Sequence, residues 1–289
     1  MSNFQDFSLI FPDQVEATRL DQFLAENLPL PKTRISQAIK NGGAYVNRKR
    51  RHDTGLLLKG GEKIRIVILN DEKLIPFSGK QIIWQQPPFF LIHKKTGQYA
   101  QEALHRSRGT LPEELSRHLK LTPSEAENLR PVHRLDRDTS GLMLFCSDPG
   151  QLQQIQSLWH SHVKKSYLAV VSPGPDWEKK RIRLPIGKRR DRLGRYHVDK
   201  NGKACDTEAE VIQREGDKAL LKLTPHTGRT HQLRIHLSHL ECPILGDNRY
   251  GGEKHPRLML HAHSLCVLVP ALSENHEWIA DTEEDWQWQ

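Results

Sequence analysis

Short apolar runs bounded by turn residues recur from residue 81 to residue 269, and this punctuation restricts the fold more than any other feature of the chain. Segments 81–84, 89–92, 142–146, 167–171, 207–212, 219–223 and 258–269 have the length and composition of strands. Helical spacing is rarer: it appears at 151–162, with Leu152, Ile155 and Trp159 on one side, and at 230–240, with Leu233 and Leu237. Strands that outnumber helices in this way predict an α+β body on a large mixed, mainly antiparallel sheet. The body is assigned to residues 81–275. An acidic and aromatic tail, 276–289, follows it and contains Trp286 and Trp288.

Ahead of the body, residues 1–70 read as a small α/β domain. Leu20, Phe23, Leu24 and Leu28 follow helical spacing until Pro29 and Pro31 interrupt it. A second helix is predicted over 33–40, with Ile35, Ala38 and Ile39 inward, Thr33 as its cap and Asn41-Gly42-Gly43 at its end. Residues 44–46 read as a strand. Gly60-Gly61 then turns into a strand over 63–69, in which Ile64, Ile66 and Ile68 share a face. Residues 71–80 are polar, contain Pro76 and Gly79, and read as a linker.

The chain of 289 residues carries 43 Lys and Arg against 35 Asp and Glu, a formal net charge of +8. Such a balance favours polyanionic partners. Arg48-Lys49-Arg50-Arg51 is one basic cluster, and Lys179-Lys180-Arg181 with Lys188-Arg189-Arg190, Arg192 and Arg195 form another stretch. No apolar run approaches the ~20 residues that cross a bilayer. Residues 1–11 lack the charged start and small-residue cleavage site of a secretory signal, so a cytoplasmic protein is expected. Cys146, Cys205, Cys242 and Cys266 are far apart, without a Cys-x-x-Cys pair, and read as buried thiols.

Three stretches carry chemistry. In Pro131-Val132-His133-Arg134-Leu135-Asp136-Arg137-Asp138-Thr139-Ser140-Gly141, a polar loop feeds a buried strand, a common setting for reactive groups. Arg134 and Arg137 flank Asp136, and nearby guanidinium groups would keep that carboxylate ionised. An Asp–Arg ion pair and a turn would account for the same residues. In Thr227-Gly228-Arg229-Thr230-His231-Gln232-Leu233-Arg234-Ile235-His236, a strand ends and a helix begins. Its N-terminus beside Arg229 suits phosphate, and Arg234 further along can reach a carboxylate in the core. His226, His231, His236 and His239 cluster here, but intervals of five do not stack His231 and His236 as a His-x-x-x-His metal pair would. The third stretch is Lys164-Lys165-Ser166-Tyr167-Leu168-Ala169, where Tyr167 is read as opening a strand after a helix.

Together these stretches resemble the signature motifs of the RluA-type RNA pseudouridine synthases. The His-Arg-Leu-Asp-x-x-Thr-Ser-Gly and Thr-Gly-Arg-Thr-His-Gln-Leu-Arg-x-His patterns are both matched in full. Pro243-Ile244-Leu245-Gly246-Asp247, Tyr250-Gly251 and Leu258-Met259-Leu260-His261-Ala262 follow in the same order. Residues 18–69 separately resemble the small RNA-binding domain named after a small-subunit ribosomal protein, through Arg19-Leu20-Asp21-x-Phe23-Leu24 and Val46-Asn47. Departures are Arg48 where that domain usually has Gly, Lys95 where the family commonly has Pro, and no His-Pro pair between Gly97 and Ala103.

The resemblance implies isomerisation of uridine to pseudouridine in RNA, with no cofactor and no metal. Asp136 would start the cleavage; attack on the sugar, attack on the base and removal of a sugar proton all remain open from sequence. Arg234 would be its ion-pair partner, and Tyr167 would lie against the uracil and take part in removing the ring proton. Arg134 and Arg229 would contact phosphate or sugar, and His133 would hold flanking nucleotides or simply support the loop. Arg34, Lys40, Arg48, Lys49 and Arg50 would add RNA contacts from the small domain. Large-subunit ribosomal RNA is the expected substrate, with tRNA as the alternative, and a monomer is the expected state. A non-catalytic RNA-binding assembly factor is the rival from another class; it would be expected to have lost Asp136, Tyr167 or Arg234. A nuclease would call for a carboxylate cluster or a His pair.

Overall fold

A computed structural model describes residues 4–69, 75–188, 196–268, 276–283 and 285–288. The chain divides into two compact units, Met1–Pro76 with Gln101–Leu115, and Phe77–Ala100 with Ser116–Gln289. Gln101–Leu115 thus groups with the small unit and not with the body to which its sequence position assigned it. The basic residues at 189–195 and part of the linker reading, 70–74, lie outside the described residues.

The small unit contains strand β1 (Phe4–Ile10), helices α1 (Leu20–Asn27) and α2 (Lys32–Asn41), and strands β2 (Ala44–Val46), β3 (Lys49–Arg51) and β4 (Lys63–Leu69). Its sheet runs in the order β1-β4-β2-β3. Leu20, Leu24, Ile35 and Ile39 from the helices bury completely against Ile64 and Ile66 of β4. Helix α2 begins one residue before its expected start, with Pro31 in the cap position and no side-chain cap bond, so Thr33 does not cap it. Proline suits that place because its fixed φ is set for helix entry and its missing N–H would be unpaired there anyway. Gly42 ends the helix in the left-handed region at φ 90°. Strand β1 was not foreseen, since residues 4–10 lack a clean alternation; it pairs with β4 along its whole length, and Arg65 grips Asp6 across the pair at 2.6 Å.

The large unit continues with β5 (Ile82–Gln86), β6 (Phe89–Lys94), β7 (Arg130–Pro131), β8 (Ser140–Cys146), β9 (Val163–Val171), β10 (Lys179–Ile182), β11 (Ile186–Lys188), β12 (Tyr196–Val198), β13 (Thr207–Glu215), β14 (Lys218–Pro225), β15 (Leu260–Val267) and β16 (His276–Ile279). Helix α3 (Leu111–Leu119) starts in the segment that groups with the small unit, and α4 (Pro123–Asn128), α5 (Pro149–His162) and α6 (Gln232–His239) belong to the large one. The main sheet follows β10-β13-β14-β9-β15-β8-β6-β5, with β16 added to β15 and β7 to β8. Among its described pairings only β15 with β8 is parallel, so the sheet is mixed and mainly antiparallel as expected.

Every residue of β8 is buried, which explains its unbroken apolar run. Helix α5 sets Ile155 and Trp159 against Leu142, Leu144 and Leu265. Gly141 is obligatory at the head of β8: its φ is 112°, and a Cβ there would collide with the Ala262 backbone of β15. Tyr167 sits in the middle of β9 and does not open it, because the chain passes from α5 directly into an extended conformation at Val163. The tail docks on the body. Trp288 is buried, and Glu283 and Asp285 both reach the buried Arg257, whose Nη2 donates to Ser140 Oγ at 2.6 Å.

Candidate active site

Asp136 lies on the loop between β7 and β8, and α6 presents Arg234 to it. Arg234 Nη1 donates to Asp136 Oδ2 at 3.0 Å, while Nε and Nη2 donate to the two oxygens of Asp247 at 2.7 and 2.8 Å. The guanidinium therefore bridges the partly exposed Asp136 carboxylate and a fully buried one. Asp247 is in turn held by the backbone N–H groups of Arg249 and Tyr250. Burial opposes the Arg234 charge, but the carboxylates of Asp247 and Asp136 more than offset it and raise its pKa.

Burial by itself would raise the Asp136 pKa, yet the cationic surroundings on His231 and Arg234 prevail and hold it below the ordinary carboxylate value. Arg234 is the lasting charge among these, because burial pulls His231 down to about 4 and leaves it neutral at pH 7. The side chain of Asp136 is 27% exposed, so a ligand can touch it. The flanking arginines act differently from the sequence expectation. Arg137 turns to Asp138 at 2.7 Å and to the ring of Tyr99, and the partner of Asp136 comes from 98 residues further on.

The loop carrying Asp136 is fixed from beneath by Lys94. Its Nζ is fully buried and donates to the carbonyls of Arg137 and Thr139, both at 2.6 Å, and of Lys95 at 3.1 Å. Three carbonyl acceptors are the coordination of an ammonium. Burial lowers its pKa to about 7. The opposite wall is the segment before α6, tied down by Gln232. Its Oε1 accepts from Thr227 Oγ1 and Arg229 N, and its Nε2 donates to Asp206 O and Thr207 Oγ1. The helix starts later than expected, at Gln232, behind a left-handed His231 at φ 56°. That unusual conformation turns the imidazole inward, with Nε2 3.7 Å from Asp136 Oδ2 and Nδ1 2.7 Å from the Tyr250 hydroxyl.

A cleft of about 130 Å³ opens between these walls, lined by Arg134, Asp136, Lys165, Tyr167, Arg229 and His231 among others. The expected site residues Asp136, Tyr167, Arg234, Arg134 and Arg229 thus meet in one place. Burial and then the Asp136 charge push the Tyr167 phenol above its ordinary pKa, so it is protonated at neutral pH. His133 lies elsewhere. It stacks on Trp159 at 4.9 Å, and its Nε2 accepts from Leu144 N–H, which makes it a support of the loop. The other histidines of the cluster also separate: His236 bonds Leu184 O and Thr207 Oγ1, and His226 faces Glu208.

In the small unit, Lys40, Arg48 and Lys49 are exposed and Arg34 is half-buried. Arg50 is committed to structure, donating to Gly42 O and Ala103 O and lying over the Tyr45 ring. Lys94, His231 and Asp247 are the site residues that sequence reasoning gave no role. Only Asp247 carried a signal of its own, as a lone acid after the apolar Pro243-Ile244-Leu245.

A model of the RNA pseudouridylate synthase family matches residues 82–239, the span that builds these walls. The chain belongs to this family. RNA pseudouridine synthases are isomerases, and the chemistry of this cleft is read on that basis. The ribosomal large subunit pseudouridine synthase C of Buchnera aphidicola is 30% identical over 287 residues, covering 90% of this chain and 89% of that protein. The ribosomal large subunit pseudouridine synthase D of Neisseria meningitidis serogroup A is 29% identical over 298 residues, covering 96% and 79%. Among solved structures, human RNA pseudouridylate synthase domain containing 1 superposes with a TM-score of 0.60 at 25% identity, covering 72% of this chain and 86% of that one. The matched family span begins after the N-terminal helices and strands, so Met1–Pro76 of the small unit lie outside it while Gln101–Leu115 fall within it. Among the described residues no helix is long and apolar enough to cross a membrane.

Proposed function

We propose that this synthase isomerises uridines of large-subunit ribosomal RNA in the cytoplasm, acting as a monomer without cofactor, with Asp136 as the reactive carboxylate. The observation that carries the assignment is the 3.0 Å contact that holds Asp136 on Arg234 at the wall of the cleft. The N1–C1′ bond of the uridine breaks and a C5–C1′ bond forms; the proton lost from C5 balances the one gained at N1, so neither oxidant nor reductant is needed. Arg234 keeps the carboxylate ionised and aimed, inside a recess where such a pair is stronger than in water. Tyr167 packs against the uracil. Its raised pKa favours this positioning role over that of a base, since the phenol would have to lose its own proton before taking another.

A cleft of this size suits one base turned out of its stack, at a cost of a few kcal/mol. Contacts from Arg134, Arg229 and the small unit offset that cost. We assign the small unit to RNA binding through Lys40, Arg48 and Lys49, with Arg34 and Arg50 shaping the surface, after the ribosomal-protein-like domain that its sequence resembles. Ribosomal RNA is favoured because the relatives from Buchnera and Neisseria carry large-subunit names.

The test maps pseudouridines in RNA from cells lacking the protein, then after restoring either the normal chain or Asp136→Asn. Sites in large-subunit RNA are expected to vanish, return with the normal chain and stay absent with the variant. Restoration by Asp136→Asn would remove Asp136 from the reaction, and changes confined to tRNA would move the substrate there.

A further inference from the structure

The Lys165 amine is the charged group of the cleft that the reaction outlined above leaves unused. Lys165 and Tyr167 lie two apart on β9, so they leave the same face of the strand. Ser166 between them points the other way and bonds Ser264 at 2.6 Å. Two strand steps place the lysine roughly 7 Å along from the tyrosine, on the order of the distance from a base to a phosphate of its own nucleotide. Among the described residues, Nζ has no hydrogen-bond acceptor and no carboxylate partner. It lies 5.9 Å from the centre of the Trp159 ring, and it faces Gly228, where a side chain would begin 3.7 Å from it. Gly228 therefore leaves free the space in front of the amine, and Arg229 stands beside that space as a second cation.

We propose that Lys165 binds a backbone phosphate adjoining the uridine held in the cleft, and so anchors the nucleotide whose base lies on Tyr167. A half-buried ammonium without a partner is costly, and a phosphate supplies the missing counter-charge. Its pKa has been drawn down to about 8 by burial alone. The groups facing it do not titrate in that range. His133 and His231 are held at about 3 and about 4, Asp136 lies low and Tyr167 high, while Arg134 and Arg229 are arginines. Among the groups lining the cleft Lys165 is thus the one that changes charge near pH 8, above the buried Lys94 at about 7 beneath the loop, and phosphate binding through it weakens as pH rises through about 8.

The assignment rests on the cleft holding a flipped nucleotide, and its test is separable from the choice of substrate. The full-length chain carries Asp136→Asn to stop turnover, and binding is measured to large-subunit RNA and to tRNA, each purified from cells lacking the protein. Continued pseudouridine formation in this background would count against Asp136 and leave Lys165 untouched. Lys165→Met is expected to bind the preferred RNA about tenfold more weakly. Its dependence of log affinity on log salt should be shallower by roughly 0.7–0.9, the share of one phosphate contact. Lys165→Arg should keep the slope and lose the decline in affinity centred near pH 8. A folded Lys165→Met with unchanged slope and unchanged pH dependence would overturn the proposal. So would a variant that lowers only kcat when Asp136 is restored, because that would place the amine on the base.

Discussion

At the residue scale the site is an alternation of charges, Asp136, Arg234 and Asp247, in which the middle member is nearly buried and the last wholly so. Removing one partner of such a set leaves a charge uncompensated. Asp247→Asn is expected to cost about 3–5 kcal/mol of stability and to lower kcat more than it raises KM, since Arg234 would no longer be held against Asp136; denaturant melts and steady-state kinetics check both. Equal stability with normal kcat would show that Asp247 is dispensable. The acid behaviour follows from the same charges. Asp136 is held below its ordinary value, so its ionised form persists above that value and is lost only as pH falls through its lower folded one. His231 is already neutral above about 4. The profile of kcat/KM should therefore be flat from about pH 5 to 6.5, with the alkaline limb left to Lys94 and Lys165; a midpoint near 6 would contradict it. Asp136, Tyr167 and Arg234 were legible in sequence because each stands in a dense motif. The local reading pointed to the flanking arginines, but Arg137 bonds Asp138; the pairing with Arg234, 98 residues away, was expected only from the family resemblance, because the two meet through the fold.

At the element scale, the helix and strand patterns carried much of the architecture, and the misses are whole elements such as β1, α3 and α4 as well as element ends. Thr33 has the chemistry of a cap, but Pro31 starts α2 earlier. A helix start read from polar residues placed α6 at Thr230, whereas His231 adopts a left-handed conformation that no propensity announces. The β2–β3 hairpin shows the same effect from the other side: Asn47 and Arg48 both have positive φ, at 51° and 67°. A two-residue turn of this kind asks for Gly at its second position, where the resembled domain has it. Arg48→Gly should stabilise the small unit by roughly 0.5–1 kcal/mol and at the same time weaken RNA binding, if Arg48 meets phosphate. A thermal melt read with a salt series separates the two effects, and a lower melting temperature would refute the turn argument.

At the scale of the whole chain, the division into two units does not follow the sequence order. Gln101–Leu115 returns to the small unit, where Tyr45, Arg50 and Asn41 bond the backbone of Leu104, Ala103 and Ser107. No local pattern encodes such a return, since its partners lie about 60 residues earlier. A chain beginning at Phe77 is expected to retain a folded, cooperatively melting body, to lose RNA affinity and salt dependence, and to become sensitive to protease within 101–115. Protection of that segment in the truncated chain would mean that the body holds it unaided.

Strand β15, made late, lies between β9 and β8 in the middle of the main sheet. During synthesis the strands on either side of it emerge first and have no common neighbour to join them. The two halves of the body must wait as separate, open-edged sheets until residue 267 has left the ribosome. The loop carrying Asp136 gains the support of β15 only then, when Gly141 closes on Ala262. A growing chain that stalls before β15 therefore keeps open sheet edges on both sides of the gap and lacks the strand on which Gly141 closes.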